Sequence, residues 1–101
     1  MSWAIKLLPL AQNDITETIN WYNEQKDGLG NAFFDALADS LNLLKIYPHL
    51  FQVRYKNIRQ APVKRFPFYI FYKLEEKSRL IVVLAVLHGS QNPKRWKGRN
   101  I

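Results

Sequence analysis

A chain of 101 residues, 48% of them apolar or aromatic, has room for one hydrophobic core and reads as a single ordered domain over 1–101. The absence of cysteine excludes disulfides, a thiol nucleophile and a zinc–thiolate site, and two histidines, His49 and His88, are too few for a multi-histidine centre. No metal or cofactor is expected. The net charge of +7 is unevenly spread: residues 1–53 hold three Lys/Arg against six Asp/Glu, and residues 54–101 hold twelve against two. Such polarity implies a basic functional face that meets phosphate or an acidic protein.

In chain order, "SWAIKLL" reads as a short strand. "LAQNDITETINWYNEQKD" follows, with Ala11, Ile15, Ile19 and Tyr22 on one face of a helix. "GLG" at residues 28–30 supplies a C′ glycine and a tight turn. "NAFFDALADSLNLLKIYP" then sets Phe34, Leu37, Leu41 and Leu44 on one stripe and stops at Pro48. Two helices joined so briefly pack as an antiparallel hairpin. "HLFQVRYKN" has no period and is expected to be irregular.

"IRQAPV" reads as a strand at an edge or bulge, because Pro62 cannot donate to a ladder. The aromatic stretch "VKRFPFYIFYKL" continues as a strand with Phe66, Phe68, Ile70 and Tyr72 on one face and Tyr69, Phe71 and Lys73 on the other. These rings are mainly core, and the flanking Lys64 and Arg65 remain for function. After a polar "EEKS" turn, "RLIVVLAVLH" is apolar on both parities, as an interior strand is. The expected architecture is α+β: a strand, an antiparallel helical hairpin, then three strands in a small, mostly antiparallel sheet with the helices on one face. Its longest apolar run, residues 80–87, is far short of the roughly 20 residues that span a bilayer. The N-terminal residues lack the features of a signal peptide, so a cytoplasmic protein without membrane contact is expected.

Most chemical motifs fail on inspection. "GLG" follows a helix and lacks the third glycine and the Lys-Ser/Thr of a phosphate loop. Glu75 and Glu76 are adjacent and do not form a glycosidase-type pair, and Ser40, Ser78 and Ser90 sit in no nucleophile elbow. His88 stands out because it closes the last strand, on the parity of Val82, Leu84 and Val86, just before the basic "NPKRWKGRN". Its alternatives are a terminal histidine bonded to backbone and a proton-transfer group near phosphate. Arg59 and Arg65, on preceding segments that could pair alongside, would supply permanent charge to phosphate oxygens. Lys64, Lys94, Arg95, Lys97 and Arg99 are the candidate binding cations.

"A..DI.ETINWYNEQKDGLGNAFFDAL", "YPHLF", "IRQAPVKRFPFYIFYKL" and "VLAVLHGSQNPKRW" together resemble the RelE/ParE superfamily of type II toxins over nearly the whole chain. The resemblance implies a small basic toxin that arrests growth, serves plasmid stabilisation, and is neutralised by a tightly bound acidic antitoxin. RelE-like members cleave messenger RNA in the ribosome, with a proton acceptor, a donor to the leaving oxygen and cations around the phosphate. ParE-like members are associated with poisoning of DNA gyrase. The "LHGSQNP" ending is similar to the ParE-like branch, and no tyrosine follows Tyr72 to complete the RelE-like cluster. His88 falls where some ribosome-dependent members place a catalytic histidine, so His88, Arg59 and Arg65 are catalytic candidates if the RNase reading holds. A rival outside the toxin class is a non-toxic basic module that binds nucleic acid.

Overall fold

The structure, a computed structural model, describes residues 2–90. Its elements are β1 (Ala4–Leu7), α1 (Pro9–Gln25), α2 (Leu29–Ile46), β2 (Val53–Tyr55), β3 (Ile58–Pro62), β4 (Phe68–Glu75) and β5 (Leu80–His88). The sheet runs β1-β5-β4-β3-β2, with β1 parallel to β5 and the other pairs antiparallel. Four strands follow the helical hairpin where three were expected. The additional one, β2, comes from the stretch read as irregular: it is three residues long and its pairing shifts register between Val53 and Tyr55. So short a segment carries no alternation to detect.

Pro9 opens α1 at a position whose N–H has no helical acceptor, so the ring's fixed φ costs nothing there. Gly28 takes the left-handed φ of 85° that the turn needs, but it stands beyond the C-cap Lys26 and serves as the N-cap of α2. Gly30 lies inside α2, not in the turn, and is where the two helices touch. Its N–H donates to Asn23 Oδ1 at 2.8 Å, and a Cβ at this position would lie 2.5 Å from the Ile19 carbonyl oxygen.

The hairpin covers one face of the sheet. Ala11 and Ile15 of α1 with Phe33, Leu37 and Leu44 of α2 pack on Ala61, Ile70, Tyr72, Ile81, Val83 and Val86. The buried ring of α2 is Phe33, whereas Phe34, expected on the buried stripe, is half exposed. Tyr22, Phe33, Phe66 and Phe68 form a nest of rings with centroids 5.1–6.0 Å apart. Each such pair adds about 0.5–1.5 kcal/mol beyond the area it buries, which fastens the hairpin to the start of β4. On the other face Ile58, Phe71, Leu84, Ala85 and Leu87 form a second cluster with Leu8, Tyr55 and Tyr69.

A bulge changes the phase of β5. Phe71 faces Ala85 and Tyr72 faces Val83, so Leu84 is the extra residue. His88 consequently shares the helix-covered side with Val86, Val83 and Ile81, while Val82 and Leu84 point to the opposite side. The uniform parity expected for residues 82–88 is corrected accordingly.

Candidate functional site

His88 ends β5 opposite Phe68, whose ring meets the imidazole edge-on with centroids 5.3 Å apart. The Ser90 N–H donates to Nδ1 at 3.0 Å and the Ser90 hydroxyl lies 2.7 Å from the same nitrogen. A backbone donor there requires a lone pair on Nδ1, which places the ring proton on Nε2. The Gly89 N–H bonds the Pro67 carbonyl at 2.8 Å and holds the end of β5 against the start of β4. A Cβ on Gly89 would come within 3.0 Å of the Tyr69 ring.

Asp14 supports this end of β5 and was missed in the sequence. β1 stops opposite Val83, and beyond it the next edge donor of β5, the Val86 N–H, bonds the buried Asp14 carboxylate at 3.0 Å. An open strand edge is thus satisfied by a side chain from α1. A detectable signal existed: Asp14 and Thr18 sit at helical spacing with Ala11 and Ile15, two polar residues on an otherwise apolar stripe.

Arg59 occupies a different place. It pairs in register with Tyr72, four residues along β4 from the partner of His88, which is about 13 Å at about 3.3 Å per residue. Two strand spacings also separate β3 from β5. The Arg59 guanidinium donates to the Phe51 carbonyl at 2.7 Å, and the buried Tyr72 hydroxyl donates to the Pro48 carbonyl at 3.0 Å. Burial pushes the Tyr72 phenol up to about 12, opposed by the nearby charge of Arg59. Together these two side chains hold the 48–51 segment onto the sheet.

Lys64 and Arg65 form the β3–β4 turn, closed by the Phe66 N–H on the Val63 carbonyl at 3.2 Å, with Arg65 in the left-handed region at φ 72°. Both line a hollow of about 370 Å³ with Asp35 and Asp39 of α2. The cleft that contains His88, about 480 Å³, is lined instead by Glu17, Thr18, Trp21, Tyr22, Pro67 and Phe68, and among the described residues shares none with that hollow. His88, Arg59 and Arg65 therefore occupy three separate stations: the α1 side, the far end of the sheet, and the α2 side. Lys94, Arg95, Lys97 and Arg99 lie outside the described residues. Among the described residues no cluster of three His, Asp or Glu could hold a metal, and no helix is long and apolar enough to cross a membrane.

An exposed apolar strip runs along residues 43–53. Leu43, Ile46 and Tyr47 lie at the end of α2, with Leu50 and Val53 beyond, and Ile46 is 63% exposed. Lys45, Arg54 and Lys56 are interspersed with or adjacent to them.

Known proteins share this fold. The isolated RelE toxin of E. coli has a similar fold, with a TM-score of 0.65, 10% identity, and 96% of this chain and 95% of that one covered. The chromosomal ParDE toxin–antitoxin system of P. aeruginosa also contains a similar chain, with a TM-score of 0.63, 14% identity, and 86% and 96% covered. In sequence, Toxin ParE2 of Mycobacterium tuberculosis is 29% identical over 86 residues, covering 81% of this chain and 77% of the relative. Residues 5–93 match the family described as the ParE toxin of the type II toxin–antitoxin system parDE. With nearly the whole described sheet and both helices inside that match, the chain belongs to the ParE toxin family of type II toxin–antitoxin systems.

Proposed function

We propose that this toxin acts on DNA gyrase and is neutralised by a cognate acidic antitoxin. The family match over residues 5–93 carries the reading. It is supported by the separation of Arg59 from His88 along the sheet, which leaves His88 without that arginine beside it to stabilise a pentavalent phosphate. The antitoxin fits the 43–53 strip, where exposed apolar side chains surround Lys45 and run up to Arg54 and Lys56, and an amphipathic acidic segment would cover both. In this reading Lys64 and the basic residues 94–99 contribute contacts with the target, and their energy is spread over several side chains.

A second reading is favoured by one observation, the fixed imidazole of His88 beside an open cleft. As a RelE-like ribosome-dependent ribonuclease, the protein would use His88 for proton transfer with Arg59 and Arg65 as cations. Purified toxin added to a gyrase supercoiling assay and to a translation extract separates the two. Inhibited supercoiling with intact messenger RNA is expected; fragmented messenger RNA with unaffected gyrase overturns the proposal. His88→Ala should leave toxicity nearly intact, because a general acid–base group typically contributes about 10²–10⁴ in rate and its loss would be plain.

A further inference from the structure

The cleft beside α1 has a character unlike the rest of this cationic molecule. Trp21, 54% exposed, Tyr22, Phe68 and Pro67 give it flat apolar walls, and Glu17 gives it a carboxylate. Among the described residues no lysine or arginine lines it, and His88 and Thr18 complete the lining. The helix that forms one wall, α1, carries Asp14, Glu17 and Glu24 with no Lys or Arg along its length. Glu17, Trp21 and Glu24 follow one another at helical spacing and are all exposed, so the indole lies between two carboxylates. The carbonyl end of α1 adds its partial negative charge within the same last turns, where the first cation is the C-cap Lys26.

We propose that this cleft receives one arginine side chain from a basic segment of a partner protein. A guanidinium is planar and weakly hydrated, stacks on an indole face and pairs with a carboxylate, so Trp21 and Glu17 supply the two groups it needs. Lysine's compact, strongly hydrated ammonium uses the flat walls less well. A nucleotide is disfavoured because its phosphate would approach the Glu17 carboxylate with no lysine or arginine among the described lining residues. The site is distinct from the apolar strip at residues 43–53 and opposite in charge preference, so it is independent of the antitoxin and gyrase readings.

The test titrates the isotope-labelled full chain with the peptide acetyl-Gly-Arg-Gly-Arg-Gly-amide and follows the Trp21 indole N–H resonance, identified by its loss in Trp21→Phe. Matched peptides carry lysine or the neutral isostere citrulline in place of arginine. The arginine peptide should shift that resonance saturably, the lysine peptide should bind more weakly, and the citrulline peptide should not bind. Glu17→Gln, read at the Trp21 indole, and Trp21→Ala, read at the backbone N–H resonances of residues 17–22 that the arginine peptide shifts in the wild type, should each weaken binding by about 3- to 10-fold at unchanged melting temperature. Citrulline binding equal to arginine, or arginine binding unaffected by either substitution, overturns the proposal. So does a short oligoribonucleotide shifting the Trp21 resonance when the arginine peptide does not.

Discussion

Tyr72 and Arg59 show how two side chains on neighbouring strands can hold a loop onto a sheet. Removing the Tyr72 hydroxyl leaves the Pro48 carbonyl without its donor, so Tyr72→Phe should cost about 1–2 kcal/mol in urea unfolding. The same phenol makes stability depend on alkaline pH. Unfolded, it ionises near its ordinary 10; folded, near about 12. Its contribution is therefore complete below pH 10, declines as the pH climbs, and is lost as pH rises through about 12, a change on the order of 2 kcal/mol. The wild-type protein should lose stability over that window and Tyr72→Phe should lose less; parallel profiles would contradict the assignment. Arg65 illustrates the opposite case, a side chain kept at a backbone cost. A non-glycine residue at φ 72° is held about 1 kcal/mol above relaxed geometry, so Arg65→Gly should leave stability unchanged or raise it by up to about 1 kcal/mol. If that variant also loses toxicity, the cation is what the strain maintains; a destabilised variant would mean that Arg65 makes contacts the fold depends on.

Between the helices the decisive contact is Gly30. Alanine favours a helix by about 1 kcal/mol over glycine, yet its methyl would meet the Ile19 carbonyl and the Asn23 amide, and the carbonyl is backbone that cannot step aside. Gly30→Ala should therefore destabilise the protein by about 1–3 kcal/mol despite the better propensity, read by thermal melting; a stabilised variant would show that the hairpin opens freely. This close approach was written in "GLG" but not distinguishable from a turn, because a glycine required by a neighbour's backbone and one required by φ look alike in sequence. Elements with several repeats of their period, α1, α2, β4 and β5, were legible for the same reason that they are stable: each buries a continuous stripe. What lay below that threshold escaped. β2 has three residues, the bulge at Leu84 depends on the register of two strands, and the choice of Phe33 over Phe34 turns on where the helix begins. The candidate site was legible as residue types only. His88, Arg59 and Arg65 were each identifiable by chemistry, but their separation follows from strand register, and the role of Asp14 follows from β1 ending early.

At the scale of the whole molecule, the charge split in the sequence becomes a split between layers. Residues 1–53, which hold both helices, carry six Asp/Glu against three Lys/Arg, and the described residues 54–90, which hold β3, β4 and β5, carry eight Lys/Arg against two Asp/Glu. An acidic antitoxin that binds the folded toxin should raise its melting temperature in proportion to the logarithm of antitoxin concentration above Kd, and added salt should slow the association. A cognate partner that leaves the melting temperature unchanged would remove the antitoxin from this account. The position of β5 has a consequence for how the protein comes into being. It is the fourth strand after the helices in the chain, yet it lies inside the sheet between β1 and β4, and Ala4 must find Leu80 across nearly the whole sequence. A ribosome therefore releases β1 long before its mate exists, and the growing chain can assemble the helical hairpin but cannot close the sheet until residues 80–88 have emerged. A polypeptide cut short by a stalled ribosome before residue 80 lacks the strand that both neighbours require. Such a fragment holds β1 and β4 with no strand between them, so the sheet forms only once β5 has been made.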